Sequence, residues 1–212
     1  MFNNYQAQCE QFIRINMKTD LAHDLLHVKR VVCLAKKIAD IEHAELNVVL
    51  PAAWLHDCVS YPKNDPSRAQ SSLHAADKAV LFLQSINYPE KYLSAIHHAI
   101  VAHSVSGGLT AMTIEAQVVQ DADRLDALGA IGVSRCIQVS SQLKRMLYSE
   151  DDPFAKNRAL DDQQFTLDHF YQKLLKLADA MNTSYGKKLA SKRTEFMKAY
   201  IQQLASEIEC EY

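Results

Sequence analysis

Apolar residues recur at three- and four-residue steps along most of the chain, the spacing that places them on one face of an α-helix. One predicted helix begins after Asp20, a residue type that caps helix N-termini. Its inner face consists of Leu21, Leu25, Val28, Val32, Ala35 and Ala39. His27 belongs to an adjacent stripe of the same helix, so we expect its side chain at the border of the buried face.

The same periodicity predicts six further helices. They run from Pro51 through His56, from Ser67 to about Gln84, from Pro89 to the turn at Ser106–Gly108, from Thr113 to about Leu128, and over approximately 165–182 and 185–208. Pro51 suits the first turn of its helix, where an N–H group is not needed. Residues 60–67 and 148–164 are predicted loops. The sequence shows no convincing strand pair or repeat and has only five Gly and five Pro, so the predicted fold class is all-α.

Composition and charge exclude several classes of protein. The 212 residues are 48% hydrophobic, which is enough for the core of one domain. The net charge of −2 provides no basic footprint for nucleic acid. No apolar run approaches the roughly 18 residues that span a bilayer, and the N-terminus lacks the pattern of a signal peptide. Five widely spaced cysteines, none in a CxxC pair, indicate a reducing compartment. We therefore expect a cytoplasmic protein that contacts neither membranes nor nucleic acid.

The chemistry is concentrated at the dipeptide His56-Asp57. It lies in the apolar run Pro51-Ala-Ala-Trp-Leu-His-Asp-Cys58, where an uncompensated ionisable pair costs several kcal/mol of desolvation. A divalent cation compensates that cost, because imidazole nitrogen and carboxylate oxygen are ligands of Mn, Fe, Co, Ni and Zn. His27 upstream and the cluster Asp121-Ala-Asp123-Arg-Leu-Asp126 downstream offer further ligands. This combination indicates a metal-dependent hydrolase of phosphate esters or anhydrides.

The acidic cluster leaves three choices for the last ligand. Asp123 and Asp126 share one stripe of the predicted helix, whereas Asp121 points elsewhere. Asp126 is predicted to support the site by orienting a ligand or Arg124. A single histidine is more often a satisfied core or surface residue than a ligand, so the metal hypothesis depends on the whole set converging.

Three segments resemble the HD-domain phosphohydrolase superfamily in their order and approximate spacing across residues 20–135. They are His23-Asp-Leu-Leu-His27-Val-Lys-Arg30-Val31, Trp54-Leu-His56-Asp57 and Gln120-Asp-Ala-Asp123-Arg-Leu-Asp-Ala-Leu-Gly129. The superfamily signature is a spaced His, a His-Asp pair and a later Asp. The tail also resembles one bacterial single-domain HD subfamily, in Asp168-His-Phe-Tyr-Gln-Lys-Leu-Leu-Lys-Leu177 and Gly186-Lys-Lys-Leu-Ala190.

The resemblance implies a single helical HD-domain bundle over residues 1–147, with residues 148–212 forming a loop and C-terminal helices packed on the same domain. It also implies one divalent metal ion, Mn favoured over Mg, Fe, Co, Ni and Zn, bound by His27, His56, Asp57 and Asp123. Asp123 is preferred over Asp121 and Asp126 because it precedes Arg-Leu, where the superfamily's last ligand usually stands. His56 and Asp57 are the expected catalytic residues.

The implied substrate is a small phosphorylated molecule, a nucleotide. The candidate contacts to it are basic side chains, histidines of the helix after Pro89, and one carboxylate: Arg30, Lys63, Arg68, His98, His103 and Asp126. The expected reaction is hydrolysis of a nucleoside triphosphate to monophosphate and pyrophosphate by metal-activated water. The alternatives are cleavage of phosphate monoesters, hydrolysis of a signalling nucleotide, a non-catalytic nucleotide-binding module and a purely structural helical protein. The sequence does not determine the oligomeric state, although the C-terminal helices could pair in a homodimer.

Overall fold

The structure is a computed structural model that describes residues 2–17, 24–61, 65–104 and 108–209. Its α-helices are α1 (Gln6–Asn16), α2 (Leu25–Glu42), α3 (Leu46–Leu55), α4 (Ser71–Ser85), α5 (Leu93–His103), α6 (Ile114–Leu125), α7 (Gly129–Gln142), α8 (Thr166–Gln172) and α9 (Ser184–Glu209). Within the described ranges there is no β-strand, only one isolated bridge between Met146 and Phe165. The prediction of an all-α fold is therefore confirmed.

Helix α2 begins at Leu25, later than the sequence predicts. Asp24 is its N-cap, and the Asp24 side chain accepts a hydrogen bond of 2.7 Å from the backbone N–H of His27. The predicted cap, Asp20, lies outside the described residues. The buried face of α2 consists of His27, Val28, Val31, Ala35, Ile38 and Ala39. His27 is thus inside the core rather than at its border.

Helix α3 begins at Leu46, so the prediction that Pro51 opens this helix is wrong, and Pro51 lies in its interior. Proline has no N–H to donate to the carbonyl four residues earlier, which here belongs to Asn47. The hydroxyl of Tyr88 donates to this carbonyl instead, over 2.6 Å. The helix therefore continues to Leu55 and delivers the following His-Asp pair at its C-terminal end.

The helices predicted from Ser67, from Pro89, from Thr113 and over 185–208 are present, with their ends shifted by a few residues. A 3₁₀ turn, Pro66–Gln70, precedes α4 and is capped by Asp65 rather than by Ser67. Helix α6 begins at Ile114, one residue after the predicted start at Thr113, whose Oγ1 accepts the backbone N–H of Ala116 over 3.2 Å. The helix predicted over 165–182 is limited to α8 and a short 3₁₀ turn.

The chain divides into two compact units. The first comprises Met1–Asp123 and Asn182–Gly186, and the second comprises Arg124–Met181 and Lys187–Tyr212. In the first unit, α2 and α5 pack on α3, and α4 packs on α5. The apolar core of this unit includes the fully buried side chains of Ile13, Ile38, Leu55, Leu83, Ile96 and Ile100. The predicted division after residue 147 remains a prediction.

In the second unit, α7 packs on α8, and an ion pair anchors the irregular segment before α8. The guanidinium of Arg158 donates to both carboxylate oxygens of Asp168, over 2.5 and 2.8 Å, and Asp168 is fully buried. The same guanidinium lies 4.5 Å from the centre of the Phe165 ring. The predicted loop over 148–164 is therefore irregular but fixed. None of the described helices is both long enough and apolar enough to cross a membrane.

Candidate metal centre

Four elements of the first unit bring three histidines and two carboxylates together. His27 comes from the first turn of α2, His56 and Asp57 from the end of α3, His103 from the last position of α5, and Asp123 from α6. The side chains of His27 and His56 are fully buried, whereas those of Asp57 and Asp123 retain 16% and 31% of their exposure. The imidazoles thus form the floor of the centre, and the carboxylates reach towards solvent.

The shortest separations in this cluster join histidine Nε2 atoms to carboxylate oxygens. Asp57 Oδ2 lies 3.6 Å from His27 Nε2 and 3.4 Å from His56 Nε2. Asp123 Oδ1 lies 3.5 Å from His27 Nε2 and 3.9 Å from His56 Nε2. All four separations are longer than an N–H···O hydrogen bond, whose length is about 2.7–3.2 Å. Direct hydrogen bonding therefore does not account for the convergence.

A hydrogen bond to the backbone fixes the tautomer of His56. Its Nδ1 lies 2.8 Å from the carbonyl oxygen of Ala53. A carbonyl only accepts, so Nδ1 carries the hydrogen and the lone pair of the neutral ring is on Nε2. That Nε2 atom is buried and has no hydrogen-bond partner within the described part of the chain. An acceptor lone pair therefore faces carboxylate oxygens, an arrangement that calls for a cation between them.

The spacing fits such a cation. Two ligand atoms that are each about 2.1 Å from one tetrahedral ion lie about 3.4 Å apart. The three side chains His27, His56 and Asp57 can each offer one atom, and these atoms all lie within 4.8 Å of one another. Imidazole nitrogen and carboxylate oxygen suit borderline divalent metals. The residues present thus fit a divalent cation, with Asp123 beside them as a further oxygen donor.

The protonation states are those that metal ligands require. Burial lowers the pKa of His56 below its usual value, against the opposing effect of the Asp57 charge. Burial acts to raise the pKa of Asp123, but the neighbouring imidazoles of His27 and His56 outweigh it and lower that pKa below its usual value. These directions favour a neutral His56 and an ionised Asp123, the forms in which both side chains bind a metal ion.

His103, a predicted substrate contact, lies next to the His-Asp pair. Its Nε2 is 3.7 Å from Asp57 Oδ1, the carboxylate oxygen that does not face the other two histidines. Its ring centre is 4.9 Å from that of His56. Its Nδ1 donates to the carbonyl of Ile100 over 2.6 Å. A neutral His103 thus also directs its lone pair into the centre.

Two of the three predicted basic contacts, Arg30 and Arg68, lie on described elements of the first unit. Arg30 is half-buried on α2, one turn beyond His27. Arg68 lies in the 3₁₀ turn before α4, and its Nη1 donates to the carbonyl of Tyr61 over 2.9 Å. Lys63 lies outside the described residues. The roles of these three residues remain predictions.

Two further candidates have identified partners of their own. His98 Nε2 accepts a hydrogen bond of 3.1 Å from the backbone N–H of Met112. Asp126 belongs to the second unit, where its Oδ2 accepts from Arg135 over 2.9 Å. Arg124, one of the two groups that Asp126 is predicted to orient, donates to the carbonyl of Ala180.

Asp121, the alternative last ligand, is fully buried and occupied elsewhere. Its carboxylate accepts hydrogen bonds from Asn182 and Thr183, about sixty residues later in the chain. Its neighbour Gln120 is also buried and contacts the end of α5. The sequence predicts that Asp121 points away from the site, but it contains no signal for these long-range partners, because their pairing exists only in the folded chain.

Comparison with known proteins identifies the family. Residues 25–128 match the HD domain family, a range that includes His27, His56, Asp57 and Asp123. Over 186 residues the chain is 33% identical to the protein YpgQ of Bacillus subtilis. This alignment covers 88% of this chain and 84% of YpgQ.

Solved structures agree with this assignment. The crystal structure of B. subtilis YpgQ in complex with ADP superimposes with a TM-score of 0.74 at 33% identity, covering 98% of this chain and 97% of that one. The crystal structure of an HD-superfamily hydrolase from Bacillus thuringiensis gives a TM-score of 0.77 at 29% identity, with 100% of both chains covered. These similarities agree with the clustering of four side chains, those of His27, His56, Asp57 and Asp123. The chain therefore belongs to the HD-domain superfamily and has the fold of its hydrolases.

Proposed function

We propose that this protein is a metal-dependent nucleotide hydrolase that converts a nucleoside triphosphate to the monophosphate and pyrophosphate. The observation that carries the proposal is the convergence of His27 Nε2, His56 Nε2 and Asp57 Oδ2, with carboxylate–imidazole separations of 3.4 and 3.6 Å. A cation held by three side chains, or by four with Asp123, keeps positions open for water and for a phosphoryl oxygen. We favour Mn²⁺ for this position.

The proposed substrate class is supported by a relative. YpgQ, which is 33% identical to this chain, has been crystallised with ADP. ADP combines a nucleoside with a phosphoanhydride, and these are the two parts that a nucleoside triphosphate presents to the same kind of site. Arg30, Arg68, Lys63 and His98 are the proposed contacts to the phosphates, because cationic and hydrogen-bonding side chains neutralise phosphoryl oxygens. Asp126 retains its proposed supporting role.

The side chains of the centre have different proposed roles in catalysis. When bound in the centre, a divalent cation lowers the pKa of a coordinated water and withdraws charge from a phosphoryl oxygen. His56 keeps its Nε2 lone pair directed inward because Nδ1–H is held by Ala53. Asp57 has one oxygen near the imidazoles and the other 3.7 Å from His103 Nε2. Asp57 Oδ1 and His103 Nε2 are both acceptors, so together they orient the two O–H groups of the attacking water.

The test is a product analysis with purified protein. Nucleoside triphosphates are incubated with Mn²⁺, and pyrophosphate and inorganic phosphate are measured separately. We expect equal amounts of pyrophosphate and nucleoside monophosphate. Inorganic phosphate and nucleoside diphosphate as the main products would instead indicate cleavage of the terminal phosphoanhydride and would overturn the proposed cleavage position. Release of phosphate from a nucleoside monophosphate, with the triphosphate left intact, would identify a phosphomonoesterase. Nucleotide binding without turnover in the presence of Mn, Mg, Fe, Co, Ni or Zn would identify a binding module and overturn the proposal.

A second His–Asp pair supplies matched controls. His97 on α5 and Asp77 on α4 form this pair at the protein surface, with 2.9 Å between His97 Nε2 and Asp77 Oδ1. His56→Ala and Asp57→Asn should lower kcat by at least about 100-fold, in line with the loss of a metal ligand or its orientation. His97→Ala and Asp77→Asn should leave kcat within about twofold of wild type. The helical far-UV signal should survive in all four variants, and unchanged activity in His56→Ala would refute the role of that imidazole.

A further inference from the structure

We propose that the segment Asn182–Gly186 is a positioning clamp for the metal centre. It joins α2, α5 and α6, the helices that carry His27, His103 and Asp123. These five residues come from the far end of the chain, yet they belong to the same compact unit as the centre. The inference rests on the proposed function only in that the centre binds a divalent cation.

The joint with α6 is made by Asp121. Its Oδ1 accepts from the backbone N–H of Asn182 and from Asn182 Nδ2, each over 2.9 Å. Its Oδ2 accepts from the backbone N–H and the hydroxyl of Thr183, each over 2.8 Å. Residues two apart in a helix point to nearly opposite sides, since each residue turns the helix by about 100°. Clamping Asp121 on one side therefore fixes the direction of Asp123 on the other.

The joint with α5 is made by Gln120, next to Asp121. Gln120 Oε1 accepts from Asn182 Nδ2 over 2.8 Å, and Gln120 Nε2 donates to the carbonyl of Ala102 over 2.6 Å. The last carbonyls of a helix have no partner within the helix. Ala102 directly precedes His103, so this bond sets the position of the imidazole that faces Asp57.

The joint with α2 is made at the last residue of that helix. The backbone N–H of Tyr185 donates to Glu42 Oε1 over 2.8 Å, and Lys37 Nζ lies 5.7 Å from the centre of the Tyr185 ring. Helix α2 spans Leu25–Glu42 and carries His27 in its first turn. Because a helix is a stiff rod with a fixed rise per residue, holding its last residue limits how far its first turn can shift.

The clamp itself has little freedom. Thr183 Oγ1 accepts from the backbone N–H of Gly186 over 3.0 Å while it donates to Asp121. A Cβ atom at Gly186 would lie 2.5 Å from Asp121 Oδ2 and 2.7 Å from Thr183 Oγ1. A buried carboxylate is costly unless donors satisfy it, so the loss of any one of its donors disturbs the joint.

Metal affinity separates a positioning role from a merely structural one. The key variant is Thr183→Val, which removes the hydroxyl donor to Asp121. Thr166→Val is the matched control, because Thr166 is equally buried and donates its hydroxyl to the carbonyl of Met146 over 3.0 Å, in the second unit. The dissociation constant of Mn²⁺ is measured by titration calorimetry on folded protein at 20 °C, and Tm is recorded for each variant.

We expect Thr183→Val to weaken Mn²⁺ binding about tenfold, as outer partners of metal ligands do. Thr183→Ser, which keeps the hydroxyl, should restore binding to within about twofold. Thr166→Val should lose a similar amount of Tm without a change in Mn²⁺ affinity. Asn182→Ala, which removes the amide shared by Gln120 and Asp121, serves as a second variant and should weaken Mn²⁺ binding in the same direction.

Unchanged Mn²⁺ affinity in folded Thr183→Val and Asn182→Ala would overturn the clamp, whatever their Tm. Weakened binding in both supports it, even if the wild-type protein hydrolyses no nucleotide, because no substrate takes part in the titration. A wild-type protein that binds no Mn²⁺ would overturn both the metal centre and its clamp. When the wild-type protein binds Mn²⁺, the titration tests the clamp whatever the outcome of the product analysis, so the two failures can be told apart.

Discussion

The hydroxyl of Tyr88 donates a hydrogen bond of 2.6 Å to the carbonyl oxygen of Asn47. This is the carbonyl that Pro51, four residues later, leaves without a helical N–H. Tyr88 is almost completely buried, and burial raises the pKa of its hydroxyl, so the proton stays on the oxygen that donates it. The relationship keeps α3 continuous on the approach to His56.

Removal of the Tyr88 hydroxyl should destabilise the protein, because the carbonyl of Asn47 loses its hydrogen-bond donor. Tyr88→Phe leaves the part-buried Asn47 carbonyl without its donor, and we expect a loss of about 1–3 kcal/mol in the free energy of unfolding. Pro51→Ala supplies an N–H to the same carbonyl. In the Pro51→Ala background, Tyr88→Phe should therefore cost less than half as much. Urea unfolding of the four proteins in this cycle measures the difference, and equal costs in both backgrounds would contradict the proposed exchange of donors.

Divalent cation should stabilise the folded protein. A ligand that binds only the folded state at about 100 times its dissociation constant adds about 2.7 kcal/mol to the free energy of unfolding. Thermal unfolding followed by far-UV circular dichroism should show a higher Tm with Mn²⁺, and EDTA should reverse the shift. His56→Ala should lose the Mn²⁺-dependent shift, whereas His97→Ala should retain it. A shift of equal size in His56→Ala would place the stabilising cation elsewhere.

The proposed ligand set could be assembled from the sequence because its spacing follows from local structure. The helical period of α2 places His27 on one face of that helix. His56 and Asp57 lie at the end of an apolar run, where ionisable side chains are costly unless their charge is compensated. The family resemblance and helix geometry favour Asp123 among the three carboxylates. In the structure it lies 3.5 Å from His27, while Asp121 is occupied by other partners.

Other features could not be predicted because they depend on contacts between distant residues. Pro51 is an ordinary first-turn residue by local rules, and only the fold reveals that Tyr88 replaces the missing donor. Asp121 is separated from Asn182 by about sixty residues, so no helical period connects them. The full burial of His27 follows from the packing of α2 on α3. The hydrophobic pattern of α2 alone contains no information about that packing.

Cysteine reactivity should follow burial. Burial raises the pKa of the Cys9 and Cys58 thiols to about 12, while Cys33 on α2 is exposed. Only the thiolate reacts with disulfide reagents. In a Cys210→Ser background at pH 8, DTNB should therefore modify Cys33 rapidly and the buried thiols only slowly. The additional substitution Cys33→Ser should abolish the rapid phase, and guanidinium chloride should make all remaining thiols reactive. A rapid phase that survives Cys33→Ser would contradict the described burial.

The absence of a side chain at Gly186 is required by Asp121 rather than by backbone conformation. A Cβ atom at this position would lie 2.5 Å from Asp121 Oδ2, an atom that hydrogen bonds already hold in place. Gly186→Ala should therefore cost about 1–3 kcal/mol in the free energy of unfolding, the usual range for overpacking, and should also weaken Mn²⁺ binding. Gly108→Ala is the control, because Gly108 has φ +67° but nothing within 4 Å of an added Cβ. It introduces backbone strain without a clash, so Mn²⁺ affinity should not change. Equal effects of the two substitutions on Mn²⁺ affinity would mean that contact with Asp121 is not what Gly186 protects.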